Sequence, residues 1–169
     1  MPLSSLLLRL DGRIPRKQFW LASLALFIAF ALIGFLLIGL GFSQATTITG
    51  TVQAPGQPER TFTSTEWKLA PLASFLLTLL MAWPLTAIGV KRRRDRDSSG
   101  VDVIAFMALW LLLGLLEILN VGGFLIEAAS LVILVWGIYL LVVLGFLKGT
   151  TGPNQYGPDP LGDTAAATA

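Results

Sequence analysis

The residues able to do chemistry in this chain are few and restricted in type. Its 169 residues include no His and no Cys, which removes the commonest general base, the commonest metal ligand and all thiolate reactions. Arg, Lys, Asp, Glu, Tyr and hydroxyl groups remain. Glu117 and Glu127 are the carboxylates set inside otherwise apolar runs. A carboxylate in that setting points to a proton relay or an ion site, because hydrocarbon penalises its charge. Both also lie within about two helical turns of Asn120-Val121-Gly122-Gly123, a tight-turn signal. The plainer reading is therefore a pair of interfacial carboxylates reached by water. Glu127 gains further from the positive end of the helix it begins.

The cations are clustered. Arg9, Arg13, Arg16 and Lys17 precede the first apolar run, and Lys91-Arg92-Arg93-Arg94-Asp95-Arg96 divides the second from the third. Arg suits bidentate pairing with carboxylate or phosphate, and Asp11, Asp95, Asp97 and Asp159 are the carboxylates within the same polar segments. Arg13, Arg92 and Asp95 read as an ion-pair network. Lys91, Arg93 and Arg96 read as cations meeting anionic headgroups, worth about 1 kcal/mol each near a charged bilayer surface. The sequence holds no Walker loop, metal-ligand cluster, nucleophile elbow or thiol motif, so no catalytic, cofactor or metal residues are expected.

The elements that carry these groups are apolar. Hydrophobic residues make up 54% and charged residues 13%, against roughly 25% charged in soluble domains, and the mean hydropathy is +0.75. Runs at 19–42, 69–90, 103–119 and 124–147 read as membrane spans. The expected fold is an all-α membrane protein: a four-helix transmembrane bundle within a single domain, 1–160, followed by a disordered stretch, 161–169. Leu3, Leu6, Leu7 and Leu10 recur at helical spacing and predict a short interfacial helix. A cleavable signal peptide ending at Ser43-Gln44-Ala45 is a rival for the first run, but that run far exceeds the 7–15 residues of a signal's apolar region. Pro84 should kink the second span. Trp83, Trp110 and Trp136 sit deeper and are expected between helices, while Ala22, Ala25 and Ala29 permit close helix approach. Residues 43–68 are polar. Thr46–Val52 has strand propensity, yet a lone hairpin is marginal in water, and the segment reads as an exposed loop closed by the interfacial pair Trp67-Lys68. With the chain's two ends on one side, that side holds ten basic residues and the other two. The asymmetry predicts cytoplasmic termini, a cytoplasmic loop at 91–102 and an external loop at 43–68.

Three polar motifs carry a family resemblance. Gly12-Arg13, Arg16 and Phe19-Trp20 resemble the "GR-x-x-R-x-x-(F/Y)-W" opening of the bacterial inner-membrane family called domain of unknown function 805. Arg92, Asp95 and Ser99-Gly100 are similar to its central "R-L-H-D-x-x-x-S-G-W" segment, with Arg93, Arg94 and Val101 replacing the usual Leu, His and Trp. Gly149, Gly152, Asn154, Tyr156, Gly157, Asp159 and Pro160 resemble its terminal "G-x-x-G-x-N-x-(F/Y)-G-x-D-P" element. The resemblance covers essentially the whole chain. It implies a small multi-pass protein of the bacterial inner membrane and no established activity.

Under the derived topology all three motifs share the cytoplasmic side, and the Gly and Pro spacing of the last favours a fixed turn. An ordered cap over the other two motifs is therefore expected. Gly12, Arg13, Arg16, Trp20, Arg92, Arg94, Asp95, Ser99, Gly100, Asn154, Tyr156, Gly157, Asp159 and Pro160 form the candidate site. The leading function is a non-enzymatic scaffold without cofactors, engaging the bilayer, anionic phospholipid headgroups, a membrane-protein partner or a second copy, and no nucleic acid. The alternative is a small channel or transporter using Glu117 and Glu127, which would need to face a shared polar cavity. A lipid-directed enzyme lacks an assembled base, metal site or nucleophile.

Overall fold

The computed structural model describes residues 2–56 and 58–162. In chain order it contains α1 (Leu3–Leu8), α2 (Arg16–Gly39), β1 (Ser43–Val52), β2 (Arg60–Leu69), α3 (Pro71–Arg94), α4 (Val101–Ile118) and α5 (Phe124–Gly145). Four helices, α2 to α5, are long and apolar enough to cross a membrane. The 24 residues of α2 or α3 span about 36 Å at 1.5 Å per residue, beyond the ~30 Å hydrocarbon layer. The architecture is that of a multi-pass membrane protein.

Local chemistry sets the helix ends. Pro71 opens α3, where a missing amide donor costs little, and the helix continues through Pro84. It also runs past Val90, taking Lys91 to Arg94 into its last turn, where a charge run alone suggested a stop. Gly100 precedes α4 with φ +77°, and a Cβ there would lie 3.0 Å from the Val90 Cα, so this turn requires glycine. The turn expected at Asn120–Gly123 is present, with φ +54° at Asn120.

Helix α3 is central, with α2 against one side and α4 against the other; α5 packs on α4 and reaches α2 and α3 near its carboxyl end. The buried residues Ile14, Phe19, Ile88, Val90, Val103 and Leu144 place the densest packing at the charged end. There Gly89 lets Val103 approach: a Cβ on Gly89 would sit 2.7 Å from a Val103 methyl. Trp110 and Trp136 pack edge-on against Phe106. Trp83 instead lies at the surface, its indole donating to the Leu8 carbonyl at 2.9 Å. The expected N-terminal helix is α1, whose Leu6 is buried while Leu3 and Leu8 are exposed.

The all-α expectation needs correction. Segment 43–68 is not a loop: β1 and β2 form an antiparallel hairpin from Ser43↔Leu69 to Val52↔Arg60. Cross-strand pairs Thr47↔Thr65, Thr49↔Thr63 and Thr51↔Thr61 put β-branched residues opposite each other, and the Phe62 ring covers Gly50. The base is closed by Ala70 N–H donating to Phe42 O at 3.0 Å. Because α2 and α3 are packed neighbours, they hold the strand bases together and remove part of the closure entropy that makes an isolated hairpin marginal.

Candidate functional site

At the charged end several helices finish together, and each leaves backbone carbonyls without intrahelical donors. The cations of the sequence meet those carbonyls. Along the end of α5, Arg96 donates to Val143 O at 3.0 Å, Arg92 Nε to Leu144 O at 2.8 Å and the Trp20 indole to Gly145 O at 3.0 Å. Arg16 follows at Phe146 O, 3.1 Å, and Arg92 Nη2 at Leu147 O, 2.5 Å. Around α1, Lys91 donates to the Ser5 carbonyl and, at 2.7 Å, to Leu6 O, while Arg94 reaches Leu10 O at 2.6 Å. Positive groups are also what the negative end of a helix dipole favours. The basic run is a capping set for the carboxyl ends of α1 and α5.

Arg13 and Asp95 form the hub. The Arg13 guanidinium lies 3.2–3.3 Å from Asp95 Oδ1 and donates to the carbonyls of Thr150 at 2.8 Å, Gly152 at 2.9 Å and Gly157 at 3.1 Å. Nη2 also donates to Thr150 Oγ1 at 3.0 Å. The other Asp95 oxygen accepts from Arg92 Nη1. Arg13, Arg92 and Asp95 are all buried, Arg92 completely. Burial pushes the Asp95 carboxyl above the usual carboxylate range, while Arg92 and Arg13 pull it back down.

The tail closes over this hub. Thr150 N–H donates to Asp95 O at 2.8 Å, and Gly149 lies so close that a Cβ would overlap the Asp95 carboxylate and sit 2.9 Å from its backbone oxygen. Asn154 donates to Arg94 O at 2.9 Å and to Thr150 Oγ1 at 3.0 Å, and accepts from Tyr156 N–H at 2.9 Å. Asn154 and Gly157 exchange backbone hydrogen bonds at 3.1 Å. Asp159 accepts from Gly152 N–H at 2.8 Å and Leu161 N–H at 2.9 Å; these two donors hold its carboxyl below the usual range. Arg94 stacks over the Tyr156 ring, 5.2 Å from its centroid.

Most of the candidate residues therefore meet in one assembly. Gly12 and Gly100 serve it through positive φ, +90° and +77°. Pro160 lies in the turn after Asp159. Ser99 is exposed and stands outside the assembly. Lys91, Arg93 and Arg96, expected to face headgroups, are turned into the protein: Lys91 is fully buried, Arg93 pairs with Asp102 at 2.7 Å and Arg96 caps α5. The carbonyls of Leu144, Gly145 and Leu147 and the Thr150 hydroxyl escaped sequence reading. Their signal was the coincidence of a helix end with a surplus of donors.

Chemically the cap is closed. Every nitrogen of the buried Arg13 and Arg92 guanidiniums donates to a protein oxygen, so an outside anion would have to displace those partners; Arg94 Nε is buried without one. Glu117 lines a small pocket of about 70 Å³ with Ser74, Thr78, Trp110 and Gly114, and Glu127 is not among its walls. No group of three or more His, Cys, Asp or Glu residues that could hold a metal ion occurs among the described residues.

Residues 7–158 match the family model described as "Protein of unknown function (DUF805)". The chain belongs to this family. It is 28% identical over 159 residues to "Uncharacterized protein YiiR" of Escherichia coli K12, covering 94% of this chain and 90% of the relative. The protein of the same name from Escherichia coli O157:H7 matches with the same identity and coverage. No solved structure matches the chain.

Proposed function

We propose that the protein is a non-enzymatic scaffold of the bacterial inner membrane, with its charged end in the cytoplasm. The Arg13 hub carries this reading. One buried guanidinium binds Asp95 at the end of α3 and three separate carbonyls of the tail, so the polar groups serve to fix a surface rather than to turn over a substrate. The ten-to-two basic asymmetry supports the orientation. Exposed Arg9, Arg16 and Lys17 are left to meet headgroups or a partner protein. The chain lacks Cys, so a cysteine introduced at Thr63 reports the orientation cleanly: labelling from the outside is expected, and labelling only from the cytoplasmic side overturns it.

Photo-crosslinking from Arg9 in native membranes tests the scaffold. A discrete adduct is expected, abolished by Arg13→Met although the protein still inserts. A featureless smear, unchanged by Arg13→Met, overturns the reading. The channel alternative draws on Glu117 and Glu127, and Glu127 is not among the walls of the small pocket that Glu117 lines. Proton or cation flux in reconstituted vesicles that disappears in the Glu117→Gln, Glu127→Gln variant would replace the scaffold by a channel.

A further inference from the structure

Helices α2 and α4 flank α3 without closing on each other, and they leave an apolar groove of about 540 Å³. Trp20, Phe27 and Phe30 of α2 form one wall, Met81 of α3 the floor, and Met107 and Trp110 of α4 the other wall. From Trp20 to Phe30 the groove runs about 15 Å at 1.5 Å per residue, close to half of a ~30 Å hydrocarbon layer. It begins at the charged end and stops near mid-membrane. Lys17 lies three residues before Trp20 and seven before Leu24, another groove residue, hence on the same helical face one turn above the mouth. Lys17 is exposed and makes no hydrogen bond or ion pair with another described residue. Arg16 stands beside it, anchored to Phe146 O. The Trp20 wall is fixed by its bond to Gly145 O and its edge-on contact with Phe146.

We infer that this groove seats one acyl chain of an anionic phospholipid from the leaflet at the charged end, with the phosphate held at Lys17 and Arg16. A transmembrane helix, about 10 Å across, would seat only one face in a groove of this volume, and its apolar surface would bring no anion to Lys17. Water has little to bond to, since the lining polar groups are the hydroxyls of Ser23 and Thr78 and the indoles of Trp20 and Trp110, the first of these indoles already committed to Gly145 O. An acyl chain satisfies the length, the narrowness and the apolar walls, and the cations at the mouth select the sign of the headgroup. The inference is separate from the scaffold reading and survives its failure.

The test is native mass spectrometry and phospholipid analysis of the full chain purified from membranes in mild detergent. One anionic phospholipid per chain is expected to persist. Ser23→Phe, which projects a ring into the groove, should abolish retention while the melting curve is kept. Lys17→Gln should weaken retention roughly fivefold, equivalent to about 1 kcal/mol per cation. Exchange into vesicles of phosphatidylglycerol should restore the complex, and vesicles of phosphatidylcholine should not. Retention unaffected by Ser23→Phe, equal recovery from the two vesicles, or a dimer that Ser23→Phe dissociates without any bound lipid would each overturn the proposal. If Ser23→Phe fails to fold, Met107→Phe fills the opposite wall and reads the same outcome.

Discussion

At one end of the membrane helices, Arg13, Lys91, Arg92 and Asp95 are buried among backbone oxygens and one another; at the other, Glu117 and most of the β1–β2 hairpin face outward. The first end joins α1, α2, α3, α5 and the tail through side-chain bonds that bridge large separations in sequence. The second is held by a local ladder between neighbouring strands. Helix carboxyl ends gathered at one level have many unpaired oxygens, and guanidinium groups can satisfy several at once. Strands that pair with each other need no such help. The polar groups of the charged end are thus bound up in tertiary structure, whereas those of the hairpin end are left to water.

The largest expected effect comes from Arg13→Met. It removes the guanidinium donors facing Thr150 O, Gly152 O and Gly157 O, leaving Gly157 O only its bond from Asn154 N–H, and strips Asp95 of one partner. Breaking a buried pair in this way costs about 3–5 kcal/mol. Thermal unfolding in detergent should show the loss, and protease should reach the tail. Arg9→Gln breaks only the exposed pair with Asp11 and should cost under about 1 kcal/mol. Equal melting of the two variants would mean that burial adds nothing to the hub's pairing.

Gly149→Ala should come next. The added Cβ meets Asp95 at its side chain and backbone, an overpacking penalty of about 1–3 kcal/mol. Gly39→Ala is the matched control, because a Cβ there meets nothing within 4 Å. A loss for Gly149→Ala no greater than for Gly39→Ala would mean the tail rests loosely on the hub.

The same contrast explains what could be read from sequence. The apolar spans, the meeting of the three motifs and the turned tail were legible because hydropathy, charge asymmetry and Gly/Pro spacing are local signals. Lys91 was not: a cation after an apolar run looks the same whether it faces a headgroup or the carbonyls of Ser5 and Leu6. Helix α3 runs on past its apolar run for that reason, since Arg92 finds acceptors at and just beyond the end of α5. The hairpin was hidden because Thr on both strands erases the alternation of apolar and polar residues that marks a half-buried strand. Its stability comes partly from α2 and α3 holding its base. The disorder expected for 161–169 falls, from 163 onward, outside the described residues.

A smaller effect tests the outer rim of the cap. The Asp159 carboxyl is held below its usual range by Leu161 and Gly152 N–H donors. A carboxyl lowered in the folded state contributes stability above its unfolded pKa and loses it as pH falls through the folded value. Proteolysis of the tail should therefore quicken on acidification below the ordinary Asp range, and Asp159→Asn should remove that component of the pH dependence. An unchanged profile in Asp159→Asn would assign the acid response to other carboxyls.

The least effect is expected where the hairpin is excised. Replacing 44–68 by a short Gly-Ser linker joins Ser43 to Leu69, which already face each other as partners at the hairpin base. The linker spans a small gap, and shortening a connection by two doublings of length changes its closure entropy by only about 1 kcal/mol. Hub residues Arg13, Asp95 and Thr150 touch no part of the hairpin, so insertion and melting should stay within about that amount of the full chain. The comparison also has a direction: Arg13→Met in the excised protein should cost as much as in the full chain, because distant sites without shared partners add. If excision instead lowers stability as far as Arg13→Met does, or if the two losses are not additive, the hairpin is coupled to the cap through α2 and α3 and the ends are not independent.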